Sequence, residues 1–461
     1  MSSLQQNGTM PAGAGGSAQL PAAGDPRVIW LGLWPAGGGA YWWLSNGDQP
    51  PLAGHVEAAA LAGPLAMLAE ALPQQQPGET VEDAVRRAAG GPLADPDRER
   101  ALAVDLGALL IPPALRKRLL AAAPQHPDDP PELTVVVAPG PSLARVPWEL
   151  LALNPDGDRR LLQVCYVRGG LSPANIYGRA RQPDTGRAGP ALRVIDPEPA
   201  LRVYTDAQLE RWETRGDADG GLVYSRASTT PCTRYEFARL LGGDPAAGQP
   251  TGGAGSEDAA AWAAVAAQNA AHRLAAPSRL LYFGHASSGA DDQPAAAAIH
   301  LAGGGLNAAD WIRHPDTWPM PPRVAIVACH SNDAHTLEQM GLVIAAANAG
   351  AELITTTRWT LPTDAYAPGG AEVTPGGVAT PTTDLAEAID DAHASAHPLH
   401  QLRAWQLDQL QRWQTGQLDA APLVWAAPVS YLAPDSSSDQ PPDGDPTPGP
   451  TDDADTDAPA P

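Results

Sequence analysis

Residues 279–289 read RLLYFGHASSG, and residues 323–332 read RVAIVACHSN. Each stretch is a short apolar run, of the length that a buried parallel strand needs, and each ends abruptly in small or polar residues. In an open α/β sheet the carboxyl ends of the strands are where ligands bind and chemistry takes place. The pattern therefore predicts that one strand presents His285 at that edge and the other Cys329, the pair that nucleophilic cysteine catalysis requires.

The rest of the chain alternates between strand-like and helix-like segments, which predicts a parallel sheet covered by helices on both faces. A hairpin is expected from residues 28–33 to 40–44, across three consecutive glycines. Asp95 followed by Pro96 predicts the start of a helix, with the aspartate as its cap. Further strands are predicted at residues 133–138, 162–167 and 192–195. Helices are predicted at residues 55–72, 81–89, 96–109, 114–122, 206–215, 234–241, 257–276, 336–349, 384–396 and 399–415.

Several motifs occur in an order that resembles one known family. They are VVVAPGPSL and VPWELL within residues 135–151, LAGGGLNAAD at 301–310, LITTTRW at 353–359 and PLVWAAPV at 422–429. Between them, a strand ending in Gly-His is followed by a strand ending in Ala-Cys roughly 50 residues later, a spacing found in caspase-like peptidases. Together they resemble the CHAT domain, a branch of the caspase-like cysteine peptidases that is related to separase, and residues 422–429 resemble its closing strand.

The resemblance implies a caspase-like sandwich, a mainly parallel sheet flanked by helices, and a cysteine endopeptidase. In that family Cys329 would be the nucleophile and His285 the general acid/base. The backbone N–H groups of Cys329 and Ala286 would stabilise the oxyanion. Relatives usually have glycine where Ala286 stands, and the alanine Cβ disfavours a positive φ. The simpler interpretation is a buried free cysteine that acts as a small hydrophobe, beside a neutral core histidine.

Two acidic residues are candidates for substrate binding. Asp364 follows Trp359 by five residues, close to where separase-like relatives place an aspartate that recognises a basic side chain. The register is one residue longer than usual and Pro362 intervenes, so a solvated loop aspartate is an equal alternative. Asp333, just beyond Cys329, is a weaker candidate.

The remaining cysteines and histidines give structural roles and two alternative interpretations. Cys165 and Cys232 are expected to be structural. A metal-binding module built on Cys329, His330 and His335 is a third interpretation, although this spacing fits no common closed zinc pattern and no cofactor is expected. The main competitor is a catalytically silent caspase-like scaffold, with an acidic tail as its docking element.

Composition limits the classes of partner. The formal net charge of −23 argues against a nucleic-acid surface, because phosphate binding needs clustered Lys and Arg. Three cysteines suit a reducing, cytoplasmic setting, and no apolar run approaches the ~20 residues needed to cross a bilayer. The 20–50-residue repeats often fused to CHAT domains are absent, so we expect an activating partner protein, as in bacterial conflict or defence systems, besides the protein substrate.

Four regions are expected from these patterns. Residues 1–26 are Gly/Ala/Gln/Ser-rich and expected to be disordered, and residues 27–125 form an N-terminal region of a hairpin and helices. Residues 126–433 form the CHAT-like peptidase domain, with the resemblance beginning near residue 101. Residues 434–461 carry eight aspartates and no basic residue, which predicts an acidic disordered tail.

Overall fold

The computed structural model describes residues 25–47, 50–126, 129–171, 189–201, 204–243, 275–287, 294–328, 336–364 and 380–433. The predicted disordered ends lie outside these ranges except for residues 25 and 26, and so does nearly all of the helix predicted at residues 257–276.

The elements of the described residues are as follows. The strands are β1 (Val28–Ala36), β2 (Gly39–Ser45), β3 (Leu52–Val56), β4 (Thr134–Pro139), β5 (Tyr166–Gly169), β6 (Ala191–Ile195), β7 (Leu222–Ser225), β8 (Arg279–Gly284), β9 (Ala286–Ser287), β10 (Ala298–Leu301), β11 (Gly304–Asn307), β12 (Arg323–Ala328), β13 (Leu353–Thr357) and β14 (Pro428–Leu432). The helices are α1 (Ala58–Ala71), α2 (Val81–Ala89), α3 (Pro96–Leu110), α4 (Pro113–Ala121), α5 (Leu161–Val164), α6 (Asp206–Asp219), α7 (Arg234–Leu240), α8 (Ala308–Arg313), α9 (Thr336–Asn348), α10 (Pro381–Ala394), α11 (Pro398–Gln414) and α12 (Pro422–Trp425).

Within the described ranges, one large sheet has the strand order β3-β2-β1-β4-β5-β14-β13-β12-β8-β6-β7, and β11-β10-β9 form a small separate sheet. Strands β1, β4, β5 and β14 run parallel to one another. Strands β13, β12, β8, β6 and β7 also run parallel to one another. The two sets meet antiparallel where β14 pairs with β13. The predicted fold class, a mainly parallel sheet flanked by helices, is confirmed.

The central strands are buried on both faces, as their continuous apolar sequence predicts. Because successive strand residues point to opposite faces, Leu281 and Phe283 of β8 pack into one core and Leu280 and Tyr282 into the other. The first core also contains Ile389 of α10. The sheet thus separates two apolar layers and fixes the direction in which β8 and β12 end.

The predicted N-terminal hairpin is confirmed, with antiparallel β1 and β2 joined through Gly37 and Gly38, whose φ angles of 57° and 81° favour glycine. β1 also pairs in parallel with β4. The large sheet is therefore continuous across the predicted boundary near residue 126, and that boundary itself stays a prediction. No helix in the ranges given above is long and apolar enough to cross a bilayer.

Three local assignments from the sequence are wrong. The helix predicted from residue 55 begins only at Ala58, because Leu52–Val56 pairs with β2 as an edge strand. The segment predicted as a strand at 162–167 lies partly in a helical turn, α5, and the strand itself begins only at Tyr166. The closing strand begins at Pro428, after the short helix α12. Short elements of four or five residues carry too little periodicity to separate helix from strand.

Candidate functional site

The ends of β8 and β12 lie side by side. The two strands pair in parallel over their whole length, from Arg279 with Arg323 to Gly284 with Ala328. His285 follows Gly284 in the chain, and Cys329 follows Ala328. Cys329, with His330, Asp333 and His335, lies outside the described residues. The described geometry thus reaches the residue immediately before the predicted nucleophile.

Gly284 gives β8 a tightly packed end. A Cβ added at this position would lie 3.0 Å from the hydroxyl of Tyr282 and 3.2 Å from Cδ of Pro197. Both contacts are closer than side chains ordinarily accept, so glycine suits this crowded place. His285 then leaves the sheet and is half-buried.

Ala286 is part of a strand. It is the first residue of β9 and pairs antiparallel with Ile299 of β10. Among the described residues other than glycine, only Asp196 has a positive φ. The alanine Cβ therefore brings no left-handed strain at Ala286, and its role as an oxyanion donor stays a prediction.

Asp364 is buried and bonded to the protein. Its side chain accepts hydrogen bonds from the N–H of Thr382 at 2.7 Å and from the N–H and hydroxyl of Thr383 at 3.3 and 2.6 Å. It also accepts one from Nε2 of Gln208 at 2.6 Å. Burial raises the pKa of this carboxyl group, and the threonine hydrogen bonds oppose that rise. Asp364 thus satisfies free N–H groups in the first turn of α10, as a cap does.

Asp364 is therefore not the solvated loop aspartate that the sequence left open. Its hydrogen bonds to Thr382 and Thr383 cap the start of α10, and this structural role does not depend on substrate binding. The binding role stays a prediction, because residues 365–379, which follow it, lie outside the described residues.

Sequence reasoning missed Asp196 at the same edge of the sheet. It follows β6, is buried, and has a φ of 46°. Its N–H donates to the carbonyl oxygen of Phe283 at 2.7 Å, and its carboxylate receives a hydrogen bond from Arg226 at 3.2 Å. Strained residues of this kind gather near functional sites. The signal was available, because Asp196 is a polar residue directly after a buried strand, as His285 is.

A buried ion pair supports the loop after β13. Arg358 and Glu149 form two hydrogen bonds of 2.7 and 2.8 Å, and Arg358 also donates to the carbonyl oxygens of Ala426 and Pro428. Both partners lie within the motifs that carry the family resemblance. The pair links the Pro-Trp-Glu motif to the strand end next to β12.

The two remaining cysteines and the metal interpretation were also assigned from the sequence. Cys165 and Cys232 are fully buried free thiols, and burial raises the pKa of each. A thiol held in its protonated form is a poor nucleophile, as expected for structural cysteines. Within the described ranges no group of three His, Cys, Asp or Glu residues could hold a metal ion, and the histidines of the metal interpretation lie outside those ranges.

Comparison with known proteins finds solved structures that are similar to this chain but no related sequence. No family model matches the sequence, and no curated protein matches it. Two crystal structures of the Saccharomyces cerevisiae separase–securin complex are similar, each at 8% identity, with TM-scores of 0.47 and 0.44. Each match covers 88% of this chain and 30% of the matched chain. This chain thus corresponds to less than a third of the matched chain, and the likeness carries no assignment of activity.

Proposed function

We propose that this chain is a caspase-like cysteine endopeptidase with a Cys329–His285 dyad. The observation that supports the proposal best is the pairing of Gly284 with Ala328. It puts the residues that precede the histidine and the cysteine at neighbouring points of one sheet edge, the edge where α/β folds carry their chemistry.

The proposed reaction follows from the two side chains. The thiolate of Cys329 attacks the carbonyl carbon of a peptide bond, and the oxyanion that forms accepts hydrogen bonds from the N–H groups of Cys329 and Ala286. The intermediate collapses, the C–N bond breaks, and His285 gives its proton to the departing amine. Water then hydrolyses the thioester, with His285 accepting the proton, and the free enzyme returns.

The arrangement of the other cysteines favours Cys329 in this role. A free thiol has a pKa near ~8.5, so only a few per cent is ionised at pH 7 unless a positive partner stabilises the thiolate. Cys165 and Cys232 are fully buried, and burial raises the pKa of both thiols; the charge of Arg403 lowers the pKa of Cys165 but does not outweigh its burial. Cys329 is the cysteine that comes directly after β12, and β12 pairs with the strand that precedes His285.

We further propose that a partner protein activates the enzyme, as relatives of the CHAT type imply. Specificity for arginine or lysine before the cleaved bond is proposed from Asp364, with Asp333 as a second contact. Asp364 already accepts hydrogen bonds from Thr382, Thr383 and Gln208. In this role its carboxylate would bind the basic side chain of the substrate as well as these three residues.

The decisive experiment maps new protein N-termini in cells that express the wild type or Cys329→Ala. Termini that appear only with the wild type identify substrates and the residue before the cut. An electrophilic active-site probe on the purified protein gives a second, substrate-independent readout. If the probe labels both proteins equally and no terminus depends on Cys329, the chain is a silent scaffold and the peptidase proposal is wrong.

A further inference from the structure

The hydroxyl of Tyr282 lies at the end of β8, behind the proposed acid/base. The side chain is fully buried in the core that does not contain α10. Its hydroxyl lies within hydrogen-bond distance of the carbonyl oxygen of His285, and 2.8 Å from the carbonyl oxygen of His300. It also accepts the N–H of His300 at 3.1 Å. One phenol thus contacts the backbone of both His285 and the neighbouring strand β10.

These contacts fasten the β10–β11 hairpin to the end of β8. The N–H of His300 also donates to the carbonyl oxygen of His285 at 3.0 Å. Ile299 pairs with Ala286, immediately after the histidine. At the turn of the hairpin, the N–H of Gly303 donates to Glu198 at 3.1 Å, which ties the turn to the loop after β6. The position of His285 is therefore defined by two strands and one hydroxyl.

Local geometry leaves little room for another arrangement. A buried tyrosine hydroxyl needs hydrogen-bond partners. The partners here are backbone atoms of His285 and of His300 on β10. The glycine at 284 lets that hydroxyl approach the chain, since a Cβ there would stand 3.0 Å from it. Tyr282 and Gly284 therefore both act on the backbone at His285.

We propose that Tyr282 is a positioning residue for His285, a proposal that rests on the function proposed above. The hydroxyl holds the His285 carbonyl and β10 at a fixed separation, and this sets where the imidazole stands relative to Cys329. Removing it leaves the backbone from Gly284 to Ala286 free to shift, and a displacement of about 1 Å at a reacting group can lower a rate by about 10²-fold.

The test compares Tyr282→Phe with Tyr431→Phe, a matched loss of a buried hydroxyl on β14, which two other strands separate from β8. The readout is the rate of iodoacetamide alkylation at Cys329, followed by mass spectrometry across the pH range in which both variants stay folded. It needs no substrate. A thiolate paired with His285 keeps reacting near about pH 6, whereas an unpaired thiol with a pKa of ~8.5 does not.

We expect Tyr282→Phe to lower the alkylation rate at about pH 6 by about tenfold, towards that of His285→Ala, with little change above the ordinary thiol pKa. Tyr431→Phe should keep the wild-type profile. In turnover of a fluorogenic peptide mixture, Tyr282→Phe should lower kcat with KM nearly unchanged.

A wild-type alkylation profile in Tyr282→Phe overturns the positioning role. So does a loss at every pH that matches the loss in Tyr431→Phe, because that pattern reports general destabilisation. If His285→Ala itself reacts like the wild type, the dyad is wrong, and the peptidase proposal and this one fall together. A normal dyad with an unaffected Tyr282→Phe removes this proposal alone.

Discussion

His285 and Asp390 are held in different ways at the carboxyl and amino ends of β8 and its neighbouring strands. At the carboxyl ends, His285 is half-buried and backbone contacts set its place. At the amino ends, Asp390 of α10 is buried and receives hydrogen bonds from Arg193 at 2.7 Å and from Arg279 at 3.1 Å. Arg215 of α6 adds another at 2.9 Å.

The difference separates stability from reactivity. Burial disfavours the charged form of Asp390, but Arg193 and Arg279 outweigh it and lower the pKa of the carboxyl group. Such a fully paired cluster locks α6 and α10 onto the strands and leaves no group free to react. A reactive site needs a polar group whose protonation can still change during the reaction. Changes at the two ends should therefore produce different phenotypes.

Cys329→Ala gives the largest effect on activity. It removes the proposed nucleophile, so cleavage should fall by at least ~10³-fold, while urea denaturation stays close to wild type, because a methyl replaces a small side chain. Cys232→Ala is the matched control and should keep substantial turnover. Cleavage by the Cys329→Ala protein would move the chemistry away from this edge.

Asp390→Ala gives the largest effect on stability. It removes the buried carboxylate that Arg193 and Arg279 share and leaves them only the partly exposed Asp219. The loss of one partner of a buried ion pair typically costs ~3–5 kcal/mol. Urea denaturation should show a lower midpoint with an unchanged slope. The control is Glu82→Ala, which removes an exposed partner of Arg86 on α2 and should cost no more than ~0.5 kcal/mol. Equal losses in the two variants would mean that the buried cluster is not what holds α10.

Asp364→Asn tests whether Asp364 binds the substrate or only stabilises the start of α10. If Asp364 binds a basic side chain, the variant should lose ~2–4 kcal/mol of transition-state binding to arginine substrates, measured as a lower kcat/KM. Its activity towards neutral residues should change little. If it only caps α10, the loss should appear as ~1–2 kcal/mol of stability. A positional peptide library, measured beside urea denaturation of the same variant, separates the two. A preference for aspartate or bulky apolar residues would exclude the binding role.

Mild acid should lower the free energy of unfolding through His393, which lies near Asp390. His393 is fully buried, with Nε2 2.8 Å from the hydroxyl of Thr355, and burial lowers its pKa from 6.5 to about 3, which Asp390 opposes. Below pH 6.5 the unfolded chain therefore binds a proton that the folded protein does not. Stability should be complete above pH 6.5 and fall by ~1.4 kcal/mol per pH unit as the pH drops towards the folded pKa.

The measurement is urea denaturation of the wild type and His393→Leu between about pH 6.5 and 4.5, above the range where Asp390 and Asp219 titrate. Both of those aspartates have lowered pKa values, that of Asp219 about 2 through its hydrogen bond with Arg193. Their contribution is lost in the same direction but at lower pH. A slope that His393→Leu does not reduce would assign the acid sensitivity elsewhere.

Local patterns in the sequence were sufficient for the parts of the fold that depend on neighbours in the chain. The apolar runs that end at Gly284 and Ala328 are strands, and Asp95 caps α3 by accepting hydrogen bonds from the N–H groups of Asp97 and Arg98. These features need only a run of apolar residues or one side chain next to a helix start. Periodicity and capping preferences record both directly.

Contacts between distant residues were not predictable in the same way. Glu149 and Arg358 are 209 positions apart, and Arg193 and Asp390 are 197 apart, so no local pattern pairs them. A buried charge in an apolar stretch signals that a partner exists but not which one. The pairing of Tyr282 with the backbone of His300 depends on how the hairpin folds back, which a single sequence does not specify.

The place of β14 has a consequence for how the chain is made. It is the last strand in the described sequence, yet it lies between β5 and β13. A ribosome releases the chain from its N-terminus, so β1–β5 and β6–β13 emerge first, as two half-sheets that no strand joins. Until residues 428–432 appear, the edges of β5 and β13 offer unpaired N–H and C=O groups, which invite aggregation. The nascent chain must keep the β5 edge protected once Gly169 has been made and the β13 edge once Thr357 has been made, until the five residues of β14 pair with both.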